Sequence, residues 1–161
     1  MLATPGVGTV LRQGDGMMWA MGLLTEYFVA PTDEAAASVH SDSIPAHAVD
    51  GGGIEPVVHL GTLEELLTGR TFEEVLDDAP TSPVADRHGG EELVVRLTDA
   101  LTRALADVSD GRLDEVAVSW SETDELEGAD PADLAAFARA LSALARRARA
   151  EGAHLYCWLS L

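Results

Sequence analysis

The densest set of groups able to do chemistry is the run Glu122-Thr-Asp-Glu-Leu-Glu-Gly-Ala-Asp130, which brings Glu122, Asp124, Glu125, Glu127 and Asp130 into one short stretch. Two opposed carboxylates can divide general acid and general base work, and a ring of them can hold calcium. The run lacks the alternate-position carboxylates and closing Glu of an EF-hand, and one loop does not determine which two of its acids face each other. A solvated acidic face is the ordinary role of such a run. It nevertheless joins the end of a predicted strand to the start of a predicted helix, where sites in α/β units lie, so it is the first choice for an interaction surface. Trp120 just ahead of it, and Tyr156 and Trp158 on the last predicted strand, either pack the sheet or line a cleft beside the loop.

The remaining chemistry-bearing residues are dispersed. The five histidines, at 40, 47, 59, 88 and 154, include no pair at i, i+4. His40, Asp42 and His47 share a loop without a metal-ligand spacing and read as surface groups. His59 follows two valines and precedes Leu60, as expected of a partly buried imidazole bonded to backbone. His154 and Cys157 stand three apart in a strand, so they point to opposite faces and form no nucleophile–base pair. Cys157 reads as a small core hydrophobe. Gly6-Val-Gly8 lacks the third glycine and preceding strand of a dinucleotide fingerprint, and Gly51-Gly52-Gly53 has no following lysine for a phosphate loop. No cofactor and no metal is implied.

Composition narrows the partners. The chain has 161 residues, 28 acidic against 10 basic side chains, a net charge of −18 and 47% apolar residues. A chain of this length is one domain able to bury about 70% of its unfolded surface without disulfide or metal. Such a charge repels phosphate backbones and anionic membrane surfaces, because nucleic-acid affinity depends on cations that displace counterions. Every basic residue is Arg, Asn and Lys are absent, and Gln13 is the single Gln, which reads as a high-GC bacterial coding bias first and a salt-adapted proteome second. The charge is concentrated, with −9 over residues 50–92 and −8 over residues 110–133. Cys157 alone forms no internal disulfide, and the apolar run Met17 to Leu24 is too short to span a bilayer and lacks a signal-peptide pattern, so the expected compartment is the cytoplasm.

The elements that must position these residues follow from periodicity and caps. Residues 1–20 carry no helical or strand pattern and read as a disordered or mis-annotated extension, the native start being Met17, Met18 or Met21. Met21 to Ala30 reads as a strand stopped by Pro31, and Thr32 caps a short helix through Val39. Residues 40–55 read as loop. Thr62-Leu-Glu-Glu and Thr71-Phe-Glu-Glu each read as a capping box, predicting two short helices separated by Gly69. Leu93, Leu97, Leu101, Leu105 and Val108 predict one long amphipathic helix ended by Gly111. Glu115 to Ser121 alternates and reads as a strand. Asp130 and Pro131 open a helix with Leu134, Phe137, Leu141, Leu144 and Ala148 on one face. Arg146, Arg147 and Arg149 favour its C-terminal dipole, and Gly152 stops it. His154 to Leu161 alternates again. The last three elements predict a strand–helix–strand crossover between parallel strands. The expected class is α/β or α+β, a single domain over residues 21–161 with about three strands flanked by helices.

Met21-Gly22-Leu-Leu-Thr-Glu-Tyr27-Phe28 followed by a short acidic helix resembles the opening of the YfbM-like bacterial proteins, a group of small cytosolic α/β domains. The predicted strand with Trp120, the Leu134–Arg149 helix with Phe137 and Leu141, and the closing strand with Gly152, Leu155 and Trp158 look like that group's C-terminal half. The resemblance implies a fold and carries no catalytic motif.

Two functional readings result. One is a non-enzymatic, cytosolic protein-binding module that meets a basic protein through an acidic face, in its narrower form an immunity-type inhibitor of a basic toxin. The other is a small-ligand-binding or hydrolytic domain using the Glu122–Asp130 loop with Trp120, Tyr156 and Trp158 as the walls of a cleft.

Overall fold

The computed structural model describes residues 23–80 and 82–161. The expected N-terminal extension, its three alternative start methionines and the first residues of the opening strand lie outside the described residues. Five strands are present among them, β1 (Leu24–Ala30), β2 (Val49–Asp50), β3 (Ala85–Arg87), β4 (Glu92–Arg96) and β5 (His154–Ser160). The six helices are α1 (Asp33–Ala37), α2 (Val58–Thr68), α3 (Phe72–Asp78), α4 (Asp99–Asp107), α5 (Asp110–Ser121) and α6 (Pro131–Glu151). The strands form one sheet in the order β2-β1-β5-β4-β3, and every pairing is antiparallel. The class is therefore α+β, with five strands where about three were expected.

β5 is the centre of the sheet, and its alternation divides the core. Leu155, Cys157 and Leu159 face a layer built from α2, α4, α5 and α6, whose buried residues include Leu63, Leu105, Val116, Trp120, Leu134 and Leu141. Tyr156 and Trp158 face the other side with Phe28, Ala30 and Val94, under Ala36 of α1 and Val39. The rings of Phe28 and Tyr156 stack there at 5.8 Å. Cys157 is fully buried, and burial pushes its thiol well above the ordinary thiol range, as expected of a core residue rather than a nucleophile.

Much of the local chemistry acts as the residue types dictate. Thr32 accepts from the Ala35 amide at the start of α1. Thr71 and Glu74 form a reciprocal capping box on α3. Gly69 takes the left-handed conformation that ends α2, with φ 78°. Asp130 caps α6, Pro131 sits in its first turn and Gly152 ends it.

Four expectations are corrected. Glu115 to Ser121 is the second half of α5 rather than a strand. Alternation would have buried Val116, Val118 and Trp120. The helix instead buries Leu113, Val116, Ala117 and Trp120 at i, i+3, i+4 and i+7, while Val118 is 49% exposed. Gly111 lies inside the first turn of this helix, whose cap is Ser109 accepting from the Arg112 amide. The long helix from Leu93 is divided in two. Leu93 to Arg96 belongs to β4, where Val94 and Val95 suit a pleated surface, and α4 begins at the Thr98 cap, whose hydroxyl accepts from the Leu101 amide. Thr62 is interior to α2, donating to the Val58 carbonyl, and the helix is capped by the carboxylate of Glu55, which accepts from the amides of Val57, Val58 and His59. Finally, the C-terminal unit is helix–helix–strand feeding an antiparallel sheet, so no parallel crossover forms.

Of Arg146, Arg147 and Arg149 on α6, Arg149 stands in the last turn as expected, and all three also have partners of their own. Arg146 donates to the carbonyls of Ala106 and Val108 and so satisfies the C-terminal end of α4, while Arg147 pairs with Glu151 and Arg149 with Asp107. Ser142, buried on the same helix, donates to the Leu105 carbonyl at 2.7 Å.

Candidate functional site

The acidic segment leaves the end of α5 and makes a single 3₁₀ turn over Asp124–Leu126. Leu126 is fully buried and anchors the turn. Glu122, Asp124, Glu125, Glu127 and Asp130 are all exposed, and among the described residues none of the five pairs with an arginine. Asp130 has a local task, accepting from the Ala132 amide at 2.9 Å. The remaining four point their charge into water without converging on one another's hydrogen bonds.

This turn is tied to the N-terminal end of α2. The indole Nε1 of Trp120 donates to the His59 carbonyl at 3.0 Å, and the His59 ring is hydrogen-bonded to the Glu125 backbone. Nδ1 of His59 accepts from the Glu55 amide at 3.0 Å, so that nitrogen carries no proton. Its 4.0 Å approach to the Glu55 carboxylate is therefore a contact of a neutral imidazole rather than an ion pair, in keeping with the downward push that burial exerts on its pKa. His59 is thus the backbone-bonded, partly buried imidazole that its apolar neighbours predict.

The three aromatics do not share a cleft. Trp120 is fully buried in the helical layer, stacked on Phe137 at 6.4 Å, whereas Tyr156 and Trp158 lie on the opposite face of the sheet. The cleft reading needed them together beside the acidic loop, and placing Trp120 on a helix removes it to the far side. Tyr156 donates its hydroxyl to Asp33 at 2.6 Å, and burial with this bond raises its pKa. Trp158 donates to Glu92 at 2.8 Å, which with Arg87 lowers the pKa of that carboxyl.

Two groupings were not legible in the sequence. Arg96 bonds Asp33 at 3.4 Å, Asp99 at 3.1 Å and Nδ1 of His154 at 3.1 Å. It thereby ties together α1, β4, α4 and β5, and its donors are turned onto protein partners. The second grouping is a cavity of about 40 Å³ between α2, α3, β4 and α4. Its wall includes Glu64, whose side chain is only 1% exposed, with Thr98 donating to one oxygen at 2.6 Å and Arg70 approaching the other at 3.4 Å. Burial raises the Glu64 pKa against the opposing pull of Thr98 and Arg70. The mouth is apolar, with Val57 43% and Leu76 41% exposed, and Val58, next to Val57 in sequence, is 40% exposed. The one available signal was Leu76, a large apolar residue set among the acids of Glu73–Asp78.

No family model, curated protein or solved structure matches the chain.

Small-molecule sites typically enclose about 300–1,000 Å³, several times the α2–α3 cavity. Among the described residues no group of three or more His, Cys, Asp and Glu side chains is placed to hold a metal ion. His47, from the loop weighed for that role, uses Nε2 to accept the Val29 amide at 3.0 Å. No described helix is long and apolar enough to cross a membrane.

Proposed function

We propose that this protein is a non-catalytic binding module that recognises a basic protein partner through its acid-rich surface. The observation that supports the reading is the asymmetry of charge use. Most of the described arginines are turned inward or onto neighbouring acids, as in Arg87 to the carbonyls of Ala37 and Val39, Arg146 to those of Ala106 and Val108, and Arg139 to Asp114, with Arg103 the exposed exception. The acids of the Glu122–Asp130 turn are exposed without such partners. An outward field of one sign accelerates encounter with an oppositely charged partner and disfavours acidic ones. An immunity-type inhibitor of a basic toxin is the narrower form of the same proposal, and the YfbM-like likeness of the chain's ends is compatible with it.

The test is to purify the endogenous complex at low salt, identify the partner by mass spectrometry, and titrate the purified pair at 50 and 200 mM NaCl, roughly spanning the range over which screening acts. A basic partner whose affinity falls with salt supports the proposal. An acidic partner, or an affinity indifferent to salt, overturns it.

A further inference from the structure

We propose that the groove between α2 and α3 is the anchor of that interaction and takes one apolar side chain of a basic, amphipathic segment of the partner. The inference rests on the binding-module reading and adds to it a place and a chemistry. Val57 and Leu76 line the same groove, and both are large apolar side chains about two-fifths exposed, at 43% and 41%. A cavity of about 40 Å³ beneath them has room for the tip of one side chain. Interfaces characteristically place such an apolar anchor at the centre and exclude water around it with polar contacts.

The surroundings select the charge of the partner. On one side α3 exposes Glu73, Asp77 and Asp78, and its local base, Arg70, is held by Asp78 at 2.6 Å. On the other side the α2 end that carries Val57 and Val58 is bonded through His59 to the Glu125 backbone, which brings the acidic turn against the same helix end. An apolar centre edged by the exposed acids of α3, on a helix whose start also touches the acidic turn, fits a segment with an apolar stripe and flanking Lys or Arg. A second copy of this chain is disfavoured, because the same acids would meet themselves across a two-fold contact.

The probe is a fluorescein-labelled peptide of about 14 residues with Leu and Lys at helical spacing, enough for an amphipathic face of this kind, followed by anisotropy. Leu76→Asp and, independently, Val57→Asp disrupt the groove, with circular dichroism and thermal melts confirming the fold of each. A third variant neutralises the turn by Glu122→Gln, Asp124→Asn, Glu125→Gln and Glu127→Gln. Either groove variant is expected to weaken binding by roughly tenfold or more, and replacing Leu by Ser in the peptide by a similar factor, while the neutralised turn loses a few-fold. Groove variants that bind as wild type while the neutralised turn loses binding overturn the anchor and leave the acidic-face proposal standing. No salt-sensitive binding of the basic peptide by any form overturns both. Concentration-dependent dimerisation that Leu76→Asp abolishes assigns the groove to a second copy and overturns the partner.

Discussion

Glu26 offers a quantitative handle on how this fold tolerates its own charge. It lies on β1 with Trp158 opposite it on β5 and Asp50 opposite it on β2, so a half-buried carboxylate faces an indole on one side and another acid on the other. Burial first and the charge of Asp50 second raise its pKa from 4.5 to about 7. Because the folded value is the higher one, the folded state holds a proton that the unfolded state has released between pH 4.5 and about 7. The stability associated with Glu26 is complete below pH 4.5 and is lost as pH rises towards 7. At about 1.36 kcal/mol for each pH unit the ceiling is about 3 kcal/mol, and solvent screening of a half-exposed group reduces this to about 1–2 kcal/mol. Glu26→Gln keeps the shape and removes the titration. The variant should match wild type near pH 4.5 and melt higher at pH 8 by about 2–8 °C, given about 2–4 °C per kcal/mol for a chain of this length. The assay is thermal or urea unfolding of both proteins from pH 4.5 to 8, in which the other carboxylates cancel in the difference. In an Asp50→Asn background the gain should shrink. A difference between Glu26→Gln and wild type that stays constant with pH would refute the reasoning.

Three further outcomes follow from named contacts. His47 accepts the Val29 amide through Nε2, and burial, with Arg147 nearby, lowers its pKa below 6.5, so its contribution is full above pH 6.5 and fades on acidification. Hydrogen exchange, corrected for intrinsic rate, should show the Val29 amide less protected at pH 5 than at pH 7, and equal protection would contradict the bond. Gly51 lies where an added Cβ would collide with Thr25 Oγ1 and come within 2.7 Å of the Tyr27 ring, so Gly51→Ala should cost about 2–3 kcal/mol in urea unfolding. Trp120→Phe removes the indole bond to the His59 carbonyl and should cost about 1–3 kcal/mol. That loss should be accompanied by faster proteolysis at the Glu122–Asp130 turn, and a variant as stable and as resistant as wild type would show that the bond does not hold the turn.

The sequence by itself determined the features that depend on one residue and its immediate neighbours. Thr32 and Asp130 are side-chain caps, Thr71 and Glu74 satisfy each other's amides, and Gly69 and Gly152 accept positive φ, so helix boundaries at these positions were legible without the fold. The alternation of β5 was legible for the same reason, since a strand's period places Tyr156 and Trp158 opposite Cys157 whatever lies beyond it. The concentration of charge around Glu122 to Asp130 was legible as well, although what stands beside it was not.

Only the tertiary structure decided the rest, because those outcomes depend on which of two available apolar faces finds a partner. Val116 and Trp120 belong to both a period-two and a period-3.6 pattern, and the tie was broken by the packing of α5 on α6 and α2, which buries Leu113 and Ala117 and leaves Val118 in water. That single choice carried Trp120 to the helical side of the sheet and dissolved the aromatic cleft. Thr62 had the local form of a cap, but α2 begins a turn earlier at Val58, where Glu55 accepts from the amides of Val57, Val58 and His59. The partners of Arg96 and the groove beside Leu76 lie on segments far apart in the chain. Such long-range juxtapositions arise from the packing of whole elements, and no local pattern encodes them.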